Sequence, residues 1–192
     1  YPFPGVSILS GNRSLSASPG AAGFLDSIAI PDTVTKIDDG AFSKARYLKA
    51  VEVAEGNPTY SSYDGMLFDA ERTSLLLIPE GKQGAARIPK TAGSVPPGAF
   101  SHCASVTSVS VDEGSADLSS RNGCLYDKAG ETLLRVPAGA EEVEIADGCT
   151  TVAAGALEGC AKLRTIQAPA SVAEVSADAL GGVALASGAP GL

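Results

Sequence analysis

The residues able to do chemistry are few. Four cysteines, Cys103, Cys124, Cys149 and Cys160, and one histidine, His102, occur in 192 residues. Zinc is usually held by four Cys, His or carboxylate ligands, some of them in short-spaced pairs. No Cys-x-x-Cys pair is present, and His102 is next to Cys103 in the chain. A nucleophile needs a base brought within hydrogen-bonding reach by the fold. His102 is the one histidine a Ser-His or Cys-His enzyme would have to use,. It lies between Ser101 and Cys103, and sequence neighbours rarely make a working dyad, so it reads as a surface-loop residue. The acidic pairs Asp38-Asp39 and Glu141-Glu142 are candidates for acid–base work or calcium. Both sit in or beside turns, where neighbouring carboxylates point apart and are solvated. No Gly-rich phosphate loop follows a strand and opens a helix. The expectation is of no catalytic residue, no metal and no cofactor.

The composition bounds the elements that position these residues. Hydrophobic residues make up 44% of the chain and charged residues 19%, enough for a real core and against disorder,. The net charge of −8 lacks the basic footprint that phosphate neutralisation requires, so no nucleic-acid partner is expected,. No apolar run is long enough to span a bilayer as a helix, so no membrane insertion is expected within this chain. The chain starts with Tyr1 rather than Met and reads as a processed product or a piece of something longer,. Residues 181–192 are rich in small side chains and read as a flexible tail,.

Internal repetition decides the architecture. The stretch ending Gly40-Ala41-Phe42 recurs ending Gly98-Ala99-Phe100 and again ending Gly155-Ala156-Leu157. The offset from Ile37 to Val95 is 58, from Val95 to Val152 it is 57, and from Val152 to Val175 in a degenerate fourth copy it is 23. The unit therefore has a period of 23, and two of the intervals carry an insert of about 35, in the range that signals a stacked repeat array. The inserts repeat as well. Asp64-Gly65-Met66-Leu67-Phe68 matches Asn122-Gly123-Cys124-Leu125-Tyr126, and the segment with Pro79 and Gly81 matches that with Pro137 and Gly139, each at the same offset of 58. In each unit a short alternating strand exits at a proline, which has no N–H for the ladder. Phe42, Phe100 and Leu157 are expected to plug the coil interior, and Gly40, Gly98 and Gly155 to sit at bends needing a permissive backbone,.

Gly98-Ala99-Phe100 followed by Cys103, with Ile30-Pro31 and Ile88-Pro89 at strand exits, resembles the BspA-type bacterial leucine-rich repeats. The resemblance covers residues 25 to 180 and departs from the family pattern at Ala45, Leu157 and Leu180. It implies a right-handed curved solenoid of short parallel strands with little helix, secreted or on a bacterial cell surface, often in adhesion, and with no catalytic residue. The repeats read as one solenoid over 1–180: a partial preceding repeat or insert at 1–24, repeats at 25–53, 86–111 and 140–168, inserts at 54–85 and 112–139, and a partial repeat at 169–180. Each insert is either a hairpin or an extra coil. Cys103 and Cys160 share a repeat position, and every cysteine falls where other copies carry a small or apolar residue. Buried free thiols are the reading, with a Cys103–Cys160 disulfide as the rival.

Alternation predicts Ile28, Ile30, Val51, Val53, Val109, Val111, Val143, Ile145 and Ile166 facing inward,. The outward positions then form a strip, with Glu52, Leu77, Arg87, Ser110, Arg135, Glu144 and Gln167 as its candidate binding face and Ser27, Ser108 and Thr165 beside them. Leu77 and Leu133 are the hardest to explain as solvated surface. The insert tyrosines Tyr60, Tyr63 and Tyr126 form a competing contact zone or pack in the core,. Two functions follow as expectations. One is a non-catalytic extracellular or cell-surface module, a monomer, that binds a host or bacterial surface protein or glycan. The other is a structural spacer with no ligand of its own.

Overall fold

The computed structural model describes residues 26–38, 40–42, 45–96 and 99–179, and the backbone of 6–9 and 14–17. The tail at 181–192, Asp39, Gly98 and Leu180 lie outside the described residues. The fold is a leucine-rich-repeat β-solenoid, with strands and turns and no helix among the described residues. The chain divides into two compact units, Tyr1–Lys82 and Gln83–Leu192.

Unit 1 contains β1 (Val6–Leu9), β2 (Ser14–Ala17), β3 (Ser27–Ile30), β4 (Lys36–Ile37), β5 (Ala50–Val53), β6 (Tyr60–Tyr63), β7 (Met66–Asp69) and β8 (Leu75–Leu77). β3 and β5 pair in parallel, Ile28 beside Val51 and Ile30 beside Val53. These partners are one sequence period apart, so the period is one turn of the coil. β6, β7 and β8 form an antiparallel meander. β1 and β2 are antiparallel, and β2 continues in parallel with β4.

Unit 2 contains β9 (Gly84–Ile88), β10 (Val106–Val111), β11 (Leu118–Arg121), β12 (Cys124–Asp127), β13 (Thr132–Arg135), β14 (Glu142–Glu144), β15 (Thr151–Val152), β16 (Thr165–Gln167) and β17 (Glu174–Val175). β9 with β10 and β14 with β16 are parallel pairs, again one turn apart. β11, β12 and β13 are an antiparallel meander, and β13 carries on in parallel to β15 and β17. An insert is thus a hairpin that ends in a coil strand. The β1–β2–β4 arrangement of unit 1 repeats the β12–β13–β15 arrangement of unit 2.

Local chemistry explains the coil. The prolines leaving the strands open tight turns: Pro31 O accepts from Val34 N, Pro89 O from Ala92 N and Pro169 O from Val172 N. The bend after each glycine is a chain of such turns. Phe100 O accepts from Cys103 N and Cys103 O from Val106 N; Leu157, Cys160 and Leu163 repeat the pattern. Gly40 and Gly155 adopt φ of 77° and 66°, a region that costs other residues steric strain,. At the hairpin tips Asp64-Gly65 and Asn122-Gly123 all have positive φ, as the two-residue turns that match strand twist demand,. Gly81 and Gly139 are needed for a different reason. A Cβ there would lie 2.8 Å from Leu48 O and 2.6 Å from Val106 O.

The hairpin tip also completes a ladder. Val51 N donates to Gly65 O and Val53 N to Ser62 Oγ. At the equivalent positions of the second insert, Val109 N donates to Gly123 O and Val111 N to Ser120 Oγ. The insert thereby caps strand groups that another coil would otherwise have to pair.

Each unit has a stacked core. In unit 1 Ile28, Ile30, Val34, Leu48 and Val51 are buried together, with Phe42 and Val53 partly buried against them. In unit 2 Tyr126, Leu133, Val143, Ile145, Val152 and Leu157 are buried together with Cys124, Cys149 and Cys160. All nine residues expected to face inward are buried or half-buried. Phe100 and Leu157 fill the interior as expected, whereas Phe42 is only half-buried. A single turn of the coil exposes both its apolar rims; stacking turns removes them from water.

Candidate functional site

The expected strip is divided among separate sheets. In unit 1 Glu52 is exposed on β5, beside Ala29 of β3. In unit 2 Arg87 and Ser110 are exposed neighbours across β9 and β10, and Glu144 and Gln167 are exposed neighbours across β14 and β16. Ser27 and Thr165 are exposed and Ser108 is half-buried. Arg87 is held: its Nε lies 2.6 Å from Asp112 Oδ1.

Two of the candidate binding-face residues face the wrong way. Arg135 is 7% exposed on β13, where Nη1 donates to Leu134 O and Ala154 O, and Nε has no hydrogen-bond partner. Burial pulls its pKa down, opposed by the Glu158 carboxylate. Leu77 is half-buried on β8 and packs against the unit 1 core. The physical reason is phase. β8 and β13 each pair with the strand before them through a register shift, between Leu67 and Phe68 on β7 and between Leu125 and Tyr126 on β12. A slip of one residue exchanges the two faces of a strand. The residue on the open side of β8 is Leu76, 50% exposed, and Leu133, expected on the strip, is fully buried.

The insert tyrosines divide. Tyr126 is a core residue whose phenol oxygen accepts from Ala146 N at 2.9 Å. Burial pushes its pKa up to about 12, in part offset by that hydrogen bond. Tyr60 is half-buried and its oxygen accepts from Ile37 N at 2.9 Å. Tyr63 remains half-exposed, with the Arg72 guanidinium 5.5 Å from its ring centroid.

The groups that could do covalent chemistry are dispersed or shielded. All four cysteines are buried and unbridged. Burial pushes the Cys124 thiol to about 12, with nearby Cys160 adding to it, and the Cys160 thiol to about 11. The thiolate is the nucleophile, so such thiols are inert near neutral pH. Cys160 Sγ faces the Val136 and Pro137 carbonyls, and Cys149 Sγ the Thr151 carbonyl. His102 is exposed, as are Glu141 and Glu142, and Asp38 pairs with Lys36 at 3.1 Å. Among the described residues no cluster of three or more His, Cys, Asp or Glu is placed to hold a metal ion.

A feature that alternation did not reveal is a groove of about 390 Å³ in unit 1. It runs between the end of β5 and the β6–β7 hairpin, and its walls include Glu55, Asn57, Tyr60, Ser62, Ala70 and Arg72. Asn57 builds the wall. Its Nδ2 donates to Pro31 O and Val34 O, and its Oδ1 accepts from Thr59 N and Tyr60 N. The signal for it was present in the offset between the two inserts, since Ala70 stands where the second insert has Lys128, and Arg72 where it has Gly130.

The sequence pattern of the BspA type leucine-rich repeat region matches in six copies, over residues 21–75 and 138–187. Those segments are more than half of the chain. The chain belongs to the BspA-type leucine-rich-repeat family. No curated protein matches it. Among solved structures, it is similar to the pneumococcal vaccine antigen PcpA, with 19% identity over 77% of this chain and 40% of that one, at TM-score 0.47. A leucine-rich cell surface protein from Faecalibacterium prausnitzii has 19% identity over 79% of this chain and 56% of that one, at TM-score 0.43. A leucine-rich-repeat protein from Eubacterium ventriosum has 17% identity over 82% and 59%, at TM-score 0.39. The chain therefore spans less than two thirds of each.

Proposed function

We propose that the chain is a non-catalytic interaction module, secreted or at a bacterial cell surface, that adheres to host or bacterial surface components. The observation that carries this reading is the open face of the parallel sheets in unit 2. Arg87, Ser110, Glu144 and Gln167 stand on regular strands, contribute nothing to the core and offer hydrogen-bonding and charged groups at fixed spacing. Repeat proteins bind through such extended surfaces because a stacked backbone holds many side chains in register. Family membership supports a repeat module. The acidic net charge favours partners with basic or neutral contact surfaces,.

The test is solid-phase binding of the purified chain to matrix proteins, host-cell surfaces and glycans at two salt concentrations. Glu144→Lys and Gln167→Glu alter the open face without touching the core and serve as the variants. Saturable binding that both variants weaken is the expected result. Binding unaffected by either variant removes this face from the reading, and binding to nothing on the panel favours a spacer.

A further inference from the structure

The two inserts fold alike, but unit 2 carries Lys128 where unit 1 has Ala70. In unit 2 Lys128 reaches back and its ammonium donates to Ser115 O at 2.5 Å. Ser115 corresponds to Asn57, Lys128 to Ala70 and Glu113 to Glu55, each pair at the offset that relates the two inserts. The hairpin beside them is fastened in the same way. Ser61 and Ser119 donate to Asp69 O and Asp127 O at 2.6 Å each, and Ser62 and Ser120 receive the strand N–H of Val53 and Val111. With alanine at position 70, the corresponding space in unit 1 is the groove of about 390 Å³.

We infer that this groove binds a primary ammonium group, supplied by a lysine side chain of a partner protein. The plug in unit 2 shows the chemistry the pocket takes: an alkyl chain ending in an ammonium, aimed at the main-chain carbonyl of the residue that turns the chain into the hairpin. In unit 1 that residue is Asn57. Its side-chain amide is committed to four hydrogen bonds, which leaves its main-chain carbonyl as the acceptor. Glu55 lines the same groove and adds a carboxylate. The net charge of −8 draws cationic partners to the chain,. Arg72 is the cation among the described residues that line the groove. It lies against Tyr63 and holds a φ of 59°, whereas Gly130 stands at the same position in unit 2. Arg72 therefore works against the incoming ammonium and moderates its affinity.

This deepens the reading of the chain as an interaction module, and rests on it, but at a site apart from the sheet faces of unit 2. The probe is Nα-acetyl-lysine methylamide, titrated into the isotopically labelled chain while the amide resonances of Gly56 and Asn57 are followed. The same compound acetylated on Nε, and glucosamine, are the comparison arms. Saturable shifts are expected with the lysine compound, with the Nε-acetyl form about tenfold to a hundredfold weaker, the range of a charge-assisted hydrogen bond. A response to glucosamine equal to that of the lysine compound would overturn the protein-partner assignment.

Three variants follow. Ala70→Lys rebuilds the plug and should abolish the shifts. Arg72→Gly should strengthen binding severalfold, an outcome that a purely structural role would not produce. Lys128→Ala should open a second locus, seen as new shifts at Gly114 and Ser115, and it keeps the test alive if Ala70→Lys folds poorly. Equal binding of the Nε-acetyl compound, or undiminished binding in folded Ala70→Lys, refutes the inference. Groove binding with no partner on the surface panel supports the groove and counts against the sheet faces. Panel binding that Ala70→Lys leaves intact, with no response to the lysine compound, sinks the groove alone.

Discussion

Removing one oxygen atom from the core of unit 2 tests how its hairpin is fastened to the coil. Tyr126 is fully buried on β12, and its phenol oxygen accepts the Ala146 N–H at 2.9 Å. Tyr126→Phe keeps the ring, and Phe68, its counterpart in the first insert, shows that a phenylalanine packs at this position. The substitution strands a main-chain N–H where water does not reach. A buried donor left without a partner costs about 1–3 kcal/mol, more than the ~1 kcal/mol net value of a typical hydrogen bond. For a chain of this size each kcal/mol is about 2–4 °C in Tm, so a loss of several degrees is expected. Tyr60→Phe is the internal comparison. Its oxygen accepts from Ile37 N at 2.9 Å, but Tyr60 is half-buried and water can replace it. That variant should lose about half as much or less. The assay is urea unfolding followed by far-ultraviolet circular dichroism, reading the midpoint at unchanged slope. A Tyr126→Phe midpoint equal to that of the parent, or a larger loss for Tyr60→Phe, would refute the argument that this hydrogen bond is sealed from solvent.

Three further outcomes follow. Stability should hold up to about pH 9 and then fall, because Cys124, Cys160 and Tyr126 start from 9.0, 9.0 and 10.0 and are pushed up by burial to about 12, 11 and 12. A raised folded pKa favours the protonated native state, a contribution fully present below the unfolded pKa and lost as pH rises through the folded one. Flat urea midpoints from pH 8 to 12 would contradict it. Gly159→Ala should destabilise far more than Gly148→Ala: both sites have positive φ, but a Cβ at 159 would lie 2.4 Å from Ser101 Cα and O, while nothing lies within 4 Å at 148. Equal Tm losses would count against this packing. Phe100→Ala should cost about 3–5 kcal/mol by emptying the coil interior, and an unfolding midpoint near the parent's would mean Phe100 is no plug,.

The alternation of Ile28, Ile30, Val51, Val143 and Ile145 and the regular repeat period were enough to place the core and the coil. Side chains two apart share a face, and a repeated unit must stack to bury its apolar rim. The repeat also accounted for the cysteines, since each stands where its counterparts are small or apolar. Periodicity failed where the chain leaves its period. β8 and β13 each join the strand before them with a register shift, which pairing across strands sets and sequence spacing along one strand does not record. Leu77 and Arg135 therefore turn toward the interior where simple alternation expects them outside, and Leu76 is the exposed residue of β8. The groove is a matter of tertiary structure in the same sense. Ala70 and Lys128 are visible in the sequence as a mismatch between two copies, but only the folded hairpin brings position 70 against Asn57 and Glu55. A local pattern determines which way a residue points within its own strand; which neighbour stands across from it depends on pairing between segments far apart in the chain.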